Sequence, residues 1–247
     1  MRVYEKFHEH IRLQNKVVTK ENFTYKEIIS VLNNTFPLLV GKKVLDIGCG
    51  SGSLTFYIAK QGFKVLGLDI SQRAVKCCKL NAKILKLVKK THFEVADFPE
   101  KFPKGKFDLV ICSEIIEHIQ KDNECLSKIH NLLSKNGILI ISAPSSNSLL
   151  YKIGLLKRFD EKVGHVRRCT IENLQEKLYN NNFRVIETKK AEGILRNTLF
   201  SFNIFNFAIK IANRFSFASE TLSILDKFFI PFFGESDLIF VAKINEE

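Results

Sequence analysis

The stretch Val44–Ser53, Val-Leu-Asp-Ile-Gly-Cys-Gly-Ser-Gly-Ser, is an apolar strand pattern that leads directly into three alternate glycines, Gly48, Gly50 and Gly52. A residue without a Cβ lets backbone amides approach a ligand closely and accepts the dihedral angles of a tight turn. An amphipathic segment follows and predicts a helix whose first N–H groups can bind an anion. The stretch therefore predicts a ligand-binding turn between a buried strand and a helix.

A second strand pattern, Lys64-Val-Leu-Gly-Leu-Asp69, ends in a carboxylate about twenty residues after the turn, where a ribose diol needs an acceptor. The glycine spacing is Gly-x-Gly-x-Gly, and Ser53 stands where a dinucleotide fingerprint has Gly or Ala. This difference disfavours a nicotinamide cofactor. Asp46 would repel a pyrophosphate but suits a ligand that carries an ammonium group, such as S-adenosylmethionine.

From residue 43 onward, short apolar runs alternate with helical patterns, which predicts crossover connections and a mostly parallel sheet covered on both faces. We expect an α/β fold, a Rossmann-like doubly wound sheet of seven strands with an antiparallel last strand at an edge. A capping box, Thr24-Tyr-Lys-Glu27, predicts a helix before the first strand. The predicted strands are 43–47, 64–69, 92–96, 107–112, 138–142, 183–187 and 238–243, and the predicted core helices are 53–60, 72–87, 122–133 and 171–180.

The 247 residues, 45% of them hydrophobic, suit one α/β domain with an elaboration. We expect an N-terminal helical cap (1–40), a ligand-binding core (41–193), a Phe-rich helical insertion (194–236) and a final edge strand (237–247). The six cysteines show no Cys-x-x-Cys pair, so reduced thiols are expected rather than a zinc cage or a disulfide framework. No leader or spanning segment is recognised, which predicts a cytoplasmic chain. The net charge of +12 allows nucleic-acid or membrane partners but also fits a general richness in Lys.

Phenylalanine is concentrated near the C-terminus, where ten of the chain's 22 Phe residues lie between Phe200 and Phe233. A helix over 199–215 would have a narrow polar stripe and a broad apolar arc that something must cover. One interpretation is that residues 198–233 contact a membrane surface, peripherally, or cover a lipid-like acceptor. The alternatives are a core helix beside the sheet or a contact between subunits.

In five successive motifs the chain resembles the class I S-adenosylmethionine-dependent methyltransferases: Val44–Gly52, Asp69, Ala96-Asp97, Phe107-Asp108 with Glu114-Ile-Ile-Glu117-His118, and Leu133–Pro144. The resemblance implies a cofactor, S-adenosylmethionine, whose methionine end lies on the glycine turn, including Cys49. It also implies that Asp46 orients the amino group, Asp69 accepts both ribose hydroxyls, Ile70 packs on adenine and Asp97 accepts from the adenine amino group. Phe98 and Ser113 complete the expected cofactor contacts. Alternatively, Asp69 only caps the helix that Ser71 also caps, and Asp97 only ends a strand before the Pro99 turn.

The Glu114-x-x-Glu117-His118 pattern resembles two branches of this superfamily, the ubiquinone-biosynthesis O-methyltransferases and the small-RNA 3′-terminal 2′-O-methyltransferases. Both branches use the pattern to hold a metal, which implies a divalent cation such as magnesium on Glu114, Glu117 and His118. In the RNA branch a later histidine completes the site, and His165 could have that part, although its neighbours resemble the Gly-His-x-Arg segment of many small-molecule methyltransferases. Otherwise Glu117 and His118 only line the pocket. His118 and His165 are candidate general bases, because imidazole titrates near neutral pH. Arg167 and Arg168 could hold an anionic acceptor or be a solvated pair.

The motifs are closest to the small-molecule branch that includes the ubiquinone-biosynthesis enzymes. The expected activity is therefore methyl transfer to a small hydroxyl acceptor, lipid-like or a quinone precursor. A metal-dependent RNA 2′-O-methyltransferase and a non-catalytic membrane-associated scaffold remain as alternatives. Nucleic acid is not the expected partner, because no RNA-binding module accompanies the motifs. The oligomeric state is not predicted.

Overall fold

The computed structural model of the protein describes residues 14 and 16–245. Residues 1–13 and 15 of the predicted cap, and the last two residues of the predicted final segment, lie outside the described residues. The strands are β1 (Lys43–Ile47), β2 (Lys64–Asp69), β3 (Thr91–Val95), β4 (Phe107–Ser113), β5 (Leu133–Pro144), β6 (Phe183–Ala191) and β7 (Asp237–Ile244). The helices are α1 (Lys26–Thr35), α2 (Ser53–Lys60), α3 (Gln72–Ile84), α4 (Asp122–Leu132), α5 (Leu149–Lys152), α6 (Lys157–Val163), α7 (Ile171–Asn180), α8 (Ile194–Ser201), α9 (Asn206–Arg214) and α10 (Ser216–Phe233).

The strands form one seven-stranded sheet in the order β3-β2-β1-β4-β5-β7-β6. The predicted Rossmann-like, mostly parallel sheet is confirmed, and β7 runs antiparallel to both of its neighbours. The prediction that β7 is an edge strand is wrong. Residues 238–242 are all buried, which suits a strand packed on both faces and paired on both sides. Strand β6 lies at the edge, and its exposed Arg184 and Glu187 are typical of such a strand.

Apolar side chains pack on both faces of the sheet, as predicted. Alternate residues of the central strands point to opposite sides, so Val44 joins the cluster beneath α1 and α2, whereas Leu45 joins the cluster beneath α4 and α7. The six cysteines are free, and five of them are buried. Because the two faces are filled by side chains, ligands can enter only at the ends of the strands.

The predicted capping box at Thr24 does not form. Helix α1 begins at Lys26 without a side-chain cap, and its buried face holds the predicted Ile28, Ile29 and Leu32. Thr24 instead pairs with Asn213 of α9: its amide donates to Asn213 Oδ1 at 3.2 Å, and its hydroxyl accepts from Asn213 Nδ2 at 3.0 Å. A tertiary partner thus replaces the local capping interaction.

The Phe-rich segment contains more than the single helix predicted over 199–215. Helix α8 ends at Ser201, a short 3₁₀ turn covers Asn203–Phe205, and α9 and α10 follow. The chain leaves helical geometry at Phe202, whose φ and ψ are −118° and 116°, and again at Phe215. The breaks divide the segment into three helices that pack on one another instead of one long helix.

Candidate active site

A cavity of about 1050 Å³ opens at the carboxyl ends of β1, β2 and β4. The predicted cofactor residues meet there, with the exception of Gly52, which lies behind the turn as the residue before α2. This is the edge at which open α/β sheets bind ligands. The predicted residues that line the cavity are Asp46, Gly48, Cys49, Gly50, Asp69, Ile70, Asp97, Phe98 and Ser113.

The glycine turn has the left-handed backbone that its sequence requires. Gly48, Gly50 and Gly52 have φ values of 71°, 52° and 82°. A Cβ on Gly48 would lie 2.0 Å from Cδ1 of Ile115, and a Cβ on Gly52 would lie 2.7 Å from the Phe56 ring. Side chains at Gly48 and Gly52 would therefore clash with Ile115 and Phe56, so the turn requires glycine at both positions.

Asp46, the penultimate residue of β1, is a buried carboxyl group beside the glycine turn. Its Oδ2 accepts a hydrogen bond from Oγ1 of Thr55 at 2.5 Å. Burial is the largest influence and raises the pKa of Asp46 to about 7, with the charge of Asp69 acting in the same direction and the Thr55 hydrogen bond opposing it. A cationic group in the cavity would relieve this cost of ionisation.

Asp69 ends β2 and braces the turn from the other side. Its Oδ2 accepts from the amide of Gly50 at 2.8 Å, and its Oδ1 accepts from the amide of Ser71 at 2.8 Å. The hydroxyl of Ser71 accepts from the amide of Ala74 and caps α3. Ser71 rather than Asp69 therefore caps α3, whereas Asp69 holds the glycine turn and the capping residue in place and also lines the cavity.

Three potential metal ligands meet behind the cavity wall: the carboxylate of Glu117 and the rings of His118 and His165. Their ligand atoms lie within 4.8 Å of one another. Oε1 of Glu117 is 3.8 Å from Nε2 of His118 and 3.7 Å from Nε2 of His165. Both carboxylate oxygens of Glu117 are buried and have no hydrogen-bond partner among residues 14 and 16–245. Burial, followed by the charge of Glu114, raises the pKa of Glu117 well above its ordinary value.

The outer nitrogens of the two rings are held by acceptors. Nδ1 of His118 lies 3.0 Å from the carbonyl oxygen of Gly164, and Nδ1 of His165 lies 2.9 Å from Oδ1 of Asp160. A carbonyl or carboxylate accepts only from a protonated nitrogen, so each neutral ring presents an unprotonated Nε2 towards Glu117. Burial lowers the pKa of His118, which favours this neutral form. Such outer hydrogen bonds are typical of metal-binding histidines.

Glu114 takes a different position from the other residues of the predicted metal set. Its Oε1 accepts from Oγ of Ser142 at 2.7 Å, its φ is 54°, and it faces the cavity beside His118. It is not among the three clustered ligands, whereas His165, predicted as a base, is. His165 does not line the cavity. Its ring lies beside Glu117 and His118, and His118 lines the cavity.

The two arginines that follow His165 are not available for an anionic acceptor. Arg167 pairs with Asp122 and donates to the carbonyl of Gln120, and Arg168 donates two hydrogen bonds to Asp160. Although burial acts to raise it, hydrogen bonds from His165 and Arg168 hold the pKa of Asp160 below its ordinary value. Arg168 therefore stabilises the acceptor of the His165 proton.

Sequence reasoning missed several residues of the cavity wall. Gln14 and Tyr25 come from before the first strand, and Ile115, Ile119 and Lys121 come from the turn after β4. Nε2 of Gln14 donates to Oγ of Ser53 at 3.1 Å, which ties the N-terminal segment to the glycine turn. Tyr25 and Ile115 stand at positions of the quoted motifs to which no role was assigned, and the other three lie outside the motifs, so only the path of the chain places these residues at the site.

Comparison with known proteins is consistent with this geometry. Residues 38–203 match the model of a family described as "Methyltransferase domain". The chain is 37% identical over 100 residues to a ubiquinone biosynthesis O-methyltransferase of Pelagibacter ubique, covering 40% of this chain and 41% of that protein. It is 31% identical over 129 residues to the enzyme of that name from Glaesserella parasuis, covering 51% and 55%. The chain thus spans about half the length of the curated relatives it matches.

Solved structures share the fold. Magnesium protoporphyrin IX methyltransferase from Synechocystis, with bound S-adenosylhomocysteine, aligns with a TM-score of 0.59 at 19% identity, over 90% of this chain and 82% of that one. A phosphoethanolamine N-methyltransferase of Haemonchus contortus aligns with a TM-score of 0.65 at 20% identity, over 90% and 53%. The chain therefore belongs to the methyltransferase-domain family, within the class I S-adenosylmethionine-dependent methyltransferases.

Proposed function

We propose that the protein transfers the methyl group of S-adenosylmethionine to a hydroxyl oxygen of a small apolar acceptor. The observation that carries this proposal is the meeting of the glycine turn, Asp46 and Asp69 with His118 around one cavity. The relatives named as ubiquinone biosynthesis O-methyltransferases support oxygen as the atom methylated. They also support a quinone precursor or a similar lipid-like compound as the acceptor.

The cofactor would lie with its methionine end on the glycine turn. Asp46, beside the turn, is placed to accept from the ammonium group, and Asp69 to accept from the ribose hydroxyls. Ile70 and Phe98 would enclose the adenine, and Asp97, which is exposed on the cavity wall, would accept from its amino group. These roles are those that the resemblance to the class I methyltransferases implies, and the fact that the residues line one cavity supports them.

Methyl transfer from a sulfonium is an in-line displacement, so alignment and exclusion of water supply most of the catalysis. The acceptor oxygen forms a bond to the methyl carbon while the carbon–sulfur bond breaks, which leaves S-adenosylhomocysteine. The hydroxyl proton then needs a base. His118 lines the cavity with a neutral ring whose Nε2 is unprotonated, and it can take this proton.

The clustered side chains also fit a divalent cation. Glu117 is a fully buried carboxylate with two unpartnered oxygens, and an isolated buried charge of this kind is costly. One carboxylate and two imidazoles are a suitable ligand set for zinc or manganese, and magnesium accepts the carboxylate. We propose that Glu117, His118 and His165 would hold the ion. When bound, the ion would occupy Nε2 of His118 and would lower the pKa of the acceptor hydroxyl, in place of the action of His118 as a base.

The experiment is a transfer assay with S-adenosylmethionine labelled in the methyl group. Two acceptors with the same dihydroxyphenyl head are compared, one with a prenyl tail and one without. We expect the tailed acceptor to be methylated faster, and we expect Asp69→Ala to abolish transfer to both. Methylation of RNA in place of either phenol would overturn the proposed acceptor class and favour the RNA alternative.

A further inference from the structure

Helix α10 has its polar and apolar faces reversed. The residues that it buries are Ser219, Ser223 and Asp226, with exposures of 1%, 2% and 2%. The spacing of these three residues places them on one side of the helix. The opposite side is apolar and exposed, and its residues are Phe217, Thr221, Ile224, Leu225, Phe228, Pro231 and Phe232. No charged side chain interrupts this face, which we call the outer face of α10.

Asp226 and Ser223 on the polar side of α10 are hydrogen-bonded within the protein, whereas Oγ of Ser219 is buried with no hydrogen-bond partner among the described residues. Oδ2 of Asp226 accepts from the amide of Gly193 at 2.6 Å, and Oδ1 accepts from the amide of Arg196 at 3.0 Å, so this carboxylate caps α8. The guanidinium of Arg196 donates to Oγ of Ser223 at 3.3 Å. These buried bonds fix the rotation of α10. The helix cannot turn its phenylalanines inward without leaving the buried carboxylate of Asp226 without the amides of Gly193 and Arg196.

The outer face is strongly exposed. Phe217, Phe228 and Phe232 have exposures of 82%, 63% and 69%, and the neighbouring α9 adds Phe207 at 72%. Contiguous apolar surface of this kind marks an interaction site rather than an ordinary solvent boundary. Within the part of the chain that the structure describes, no helix is long and apolar enough to cross a bilayer. A helix of this pattern instead suits a position in the plane of a membrane interface.

Charge identifies the occupant. Lys210 and Arg214 are exposed on α9, whose sequence holds no acidic residue. The net charge of +12 makes two copies of the chain repel each other but attracts the chain to an anionic surface. A second copy is therefore disfavoured as the partner of this face. We propose that the outer face of α10, with the cations of α9, binds the surface of an anionic lipid bilayer.

The proposed surface adjoins the cavity. Asn213 of α9 makes two hydrogen bonds to Thr24, and the next residue, Tyr25, lines the cavity. Lys26 of α1 pairs with Glu220 of α10, and Lys227 of α10 lies 3.2 Å from Glu27. Bilayer binding would therefore bring the cavity close to lipid. The surface itself needs neither cofactor nor methyl transfer, so it can be tested independently of the proposed function.

The first test is flotation of the protein with vesicles of phosphatidylglycerol and phosphatidylcholine. We expect binding to increase with the anionic fraction of the vesicles. The triple variant Phe217→Ser/Phe228→Ser/Phe232→Ser should bind about tenfold more weakly or worse. The matched control is Val40→Ser/Val88→Ser/Tyr179→Ser, which removes side chains with exposures of 84%, 56% and 70% elsewhere in the chain. This control should bind as the unaltered protein does. Lys210→Glu/Arg214→Glu should weaken binding to vesicles with a high anionic fraction more than binding to vesicles with a low anionic fraction.

The second test uses the absence of tryptophan from the sequence. Phe228→Trp places one fluorophore on the outer face, and Tyr179→Trp places one on α7. We expect vesicles to shift the emission of the first variant to shorter wavelength, and brominated lipids to quench it, with neither effect in the second. Absence of vesicle binding, equal loss in the control triple, or concentration-dependent self-association that the Phe triple abolishes would overturn the proposal.

Discussion

Nε2 of His165 lies 3.7 Å from Oε1 of Glu117, a carboxylate with no exposed surface and no hydrogen-bond partner. The ring is held in this orientation by Asp160, which in turn is held by Arg168. Forty-eight residues separate the two side chains along the sequence. The chain therefore assembles a carboxylate and two imidazoles at a point where burial of the carboxylate alone would destabilise the fold.

A divalent cation should stabilise the protein through Glu117. Mass action raises the thermal midpoint when an ion binds the folded state alone, and Glu117→Gln removes the charged ligand. We expect zinc, manganese or magnesium to raise the midpoint of the unaltered protein and to leave that of Glu117→Gln unchanged. Glu124→Gln, an exposed change in the same region, should keep the shift. Equal shifts in all three proteins, or no shift in any, would contradict the metal assignment.

Cofactor affinity should depend on the ionisation of Asp46. Its pKa is raised from 3.8 to about 7, so binding an ammonium group below that pH requires loss of a proton. Affinity for S-adenosylmethionine should fall up to about tenfold per pH unit below about pH 7. In Asp46→Asn, affinity should be weak and flat over the same range. Isothermal titration at a series of pH values measures both, and a parallel pH dependence in the variant would count against the role of Asp46.

Burial of Asp46 should also lower the free energy of unfolding once its carboxyl group is ionised. A carboxyl group whose folded pKa lies above its unfolded pKa binds its proton more tightly in the folded state. Its contribution to stability therefore falls as the pH rises from about 4 to about 7. We expect Asp46→Asn to melt at a higher temperature than the unaltered protein at about pH 8, with the difference shrinking towards about pH 4. A variant less stable throughout this range would refute the argument.

Gly48 and Gly62 offer a matched comparison of two left-handed glycines. An alanine at either position adopts a positive φ, 71° at Gly48 and 101° at Gly62, and should lose about 1 kcal/mol of stability. Only at Gly48 would the new Cβ meet a neighbour, Ile115 at 2.0 Å, inside the cavity wall. Gly48→Ala should therefore weaken cofactor binding by more than about tenfold, whereas Gly62→Ala should bind normally. If both variants bound S-adenosylmethionine with similar affinity, the glycine turn would not be part of the cofactor site.

Asp69 should contribute to cofactor binding beyond its role in bracing the turn. Charge-assisted hydrogen bonds contribute about 1.5–3 kcal/mol each, so Asp69→Ala should lose about a hundredfold or more in affinity. Asp69→Asn keeps an acceptor for one of the amides of Gly50 and Ser71 and should show an intermediate loss. Glu94→Gln, on the neighbouring strand β3, is the control. Unchanged affinity in Asp69→Ala would leave the residue with a purely structural role.

The sequence predicted the sheet and the cofactor end of the site because both depend on local patterns. The run at Val44–Ser53 needs only its own glycines and the strand before it, and Asp69 follows from the end of the next strand. Strand β7 was placed at the edge because no helix follows it. The apolar run 238–242 is buried on both faces of the sheet. Its position between β5 and β6 depends on pairing with both strands, which a local pattern does not report.

Longer-range pairings account for the other differences. Thr24 fits a capping box locally, but Asn213 competes for both its amide and its hydroxyl across 189 residues. Glu114 was assigned as a metal ligand from its spacing to Glu117, whereas the third clustered ligand is His165, held by Asp160. The apolar arc predicted over 199–215 is divided between α8 and α9 and leaves Ile204 and Phe207 exposed, and the exposed surface continues onto α10, whose polar residues face inward.

The proposed reaction of this protein is methyl transfer from S-adenosylmethionine to an apolar hydroxyl compound. The most direct measurement is to incubate the protein with methyl-labelled S-adenosylmethionine and a fractionated extract of its source cells, with and without a chelator. We expect label in the organic phase as a methyl ether, and we expect this label to be lost with Asp69→Ala and reduced by the chelator. Label in the RNA fraction, or no label although the cofactor binds, would contradict it.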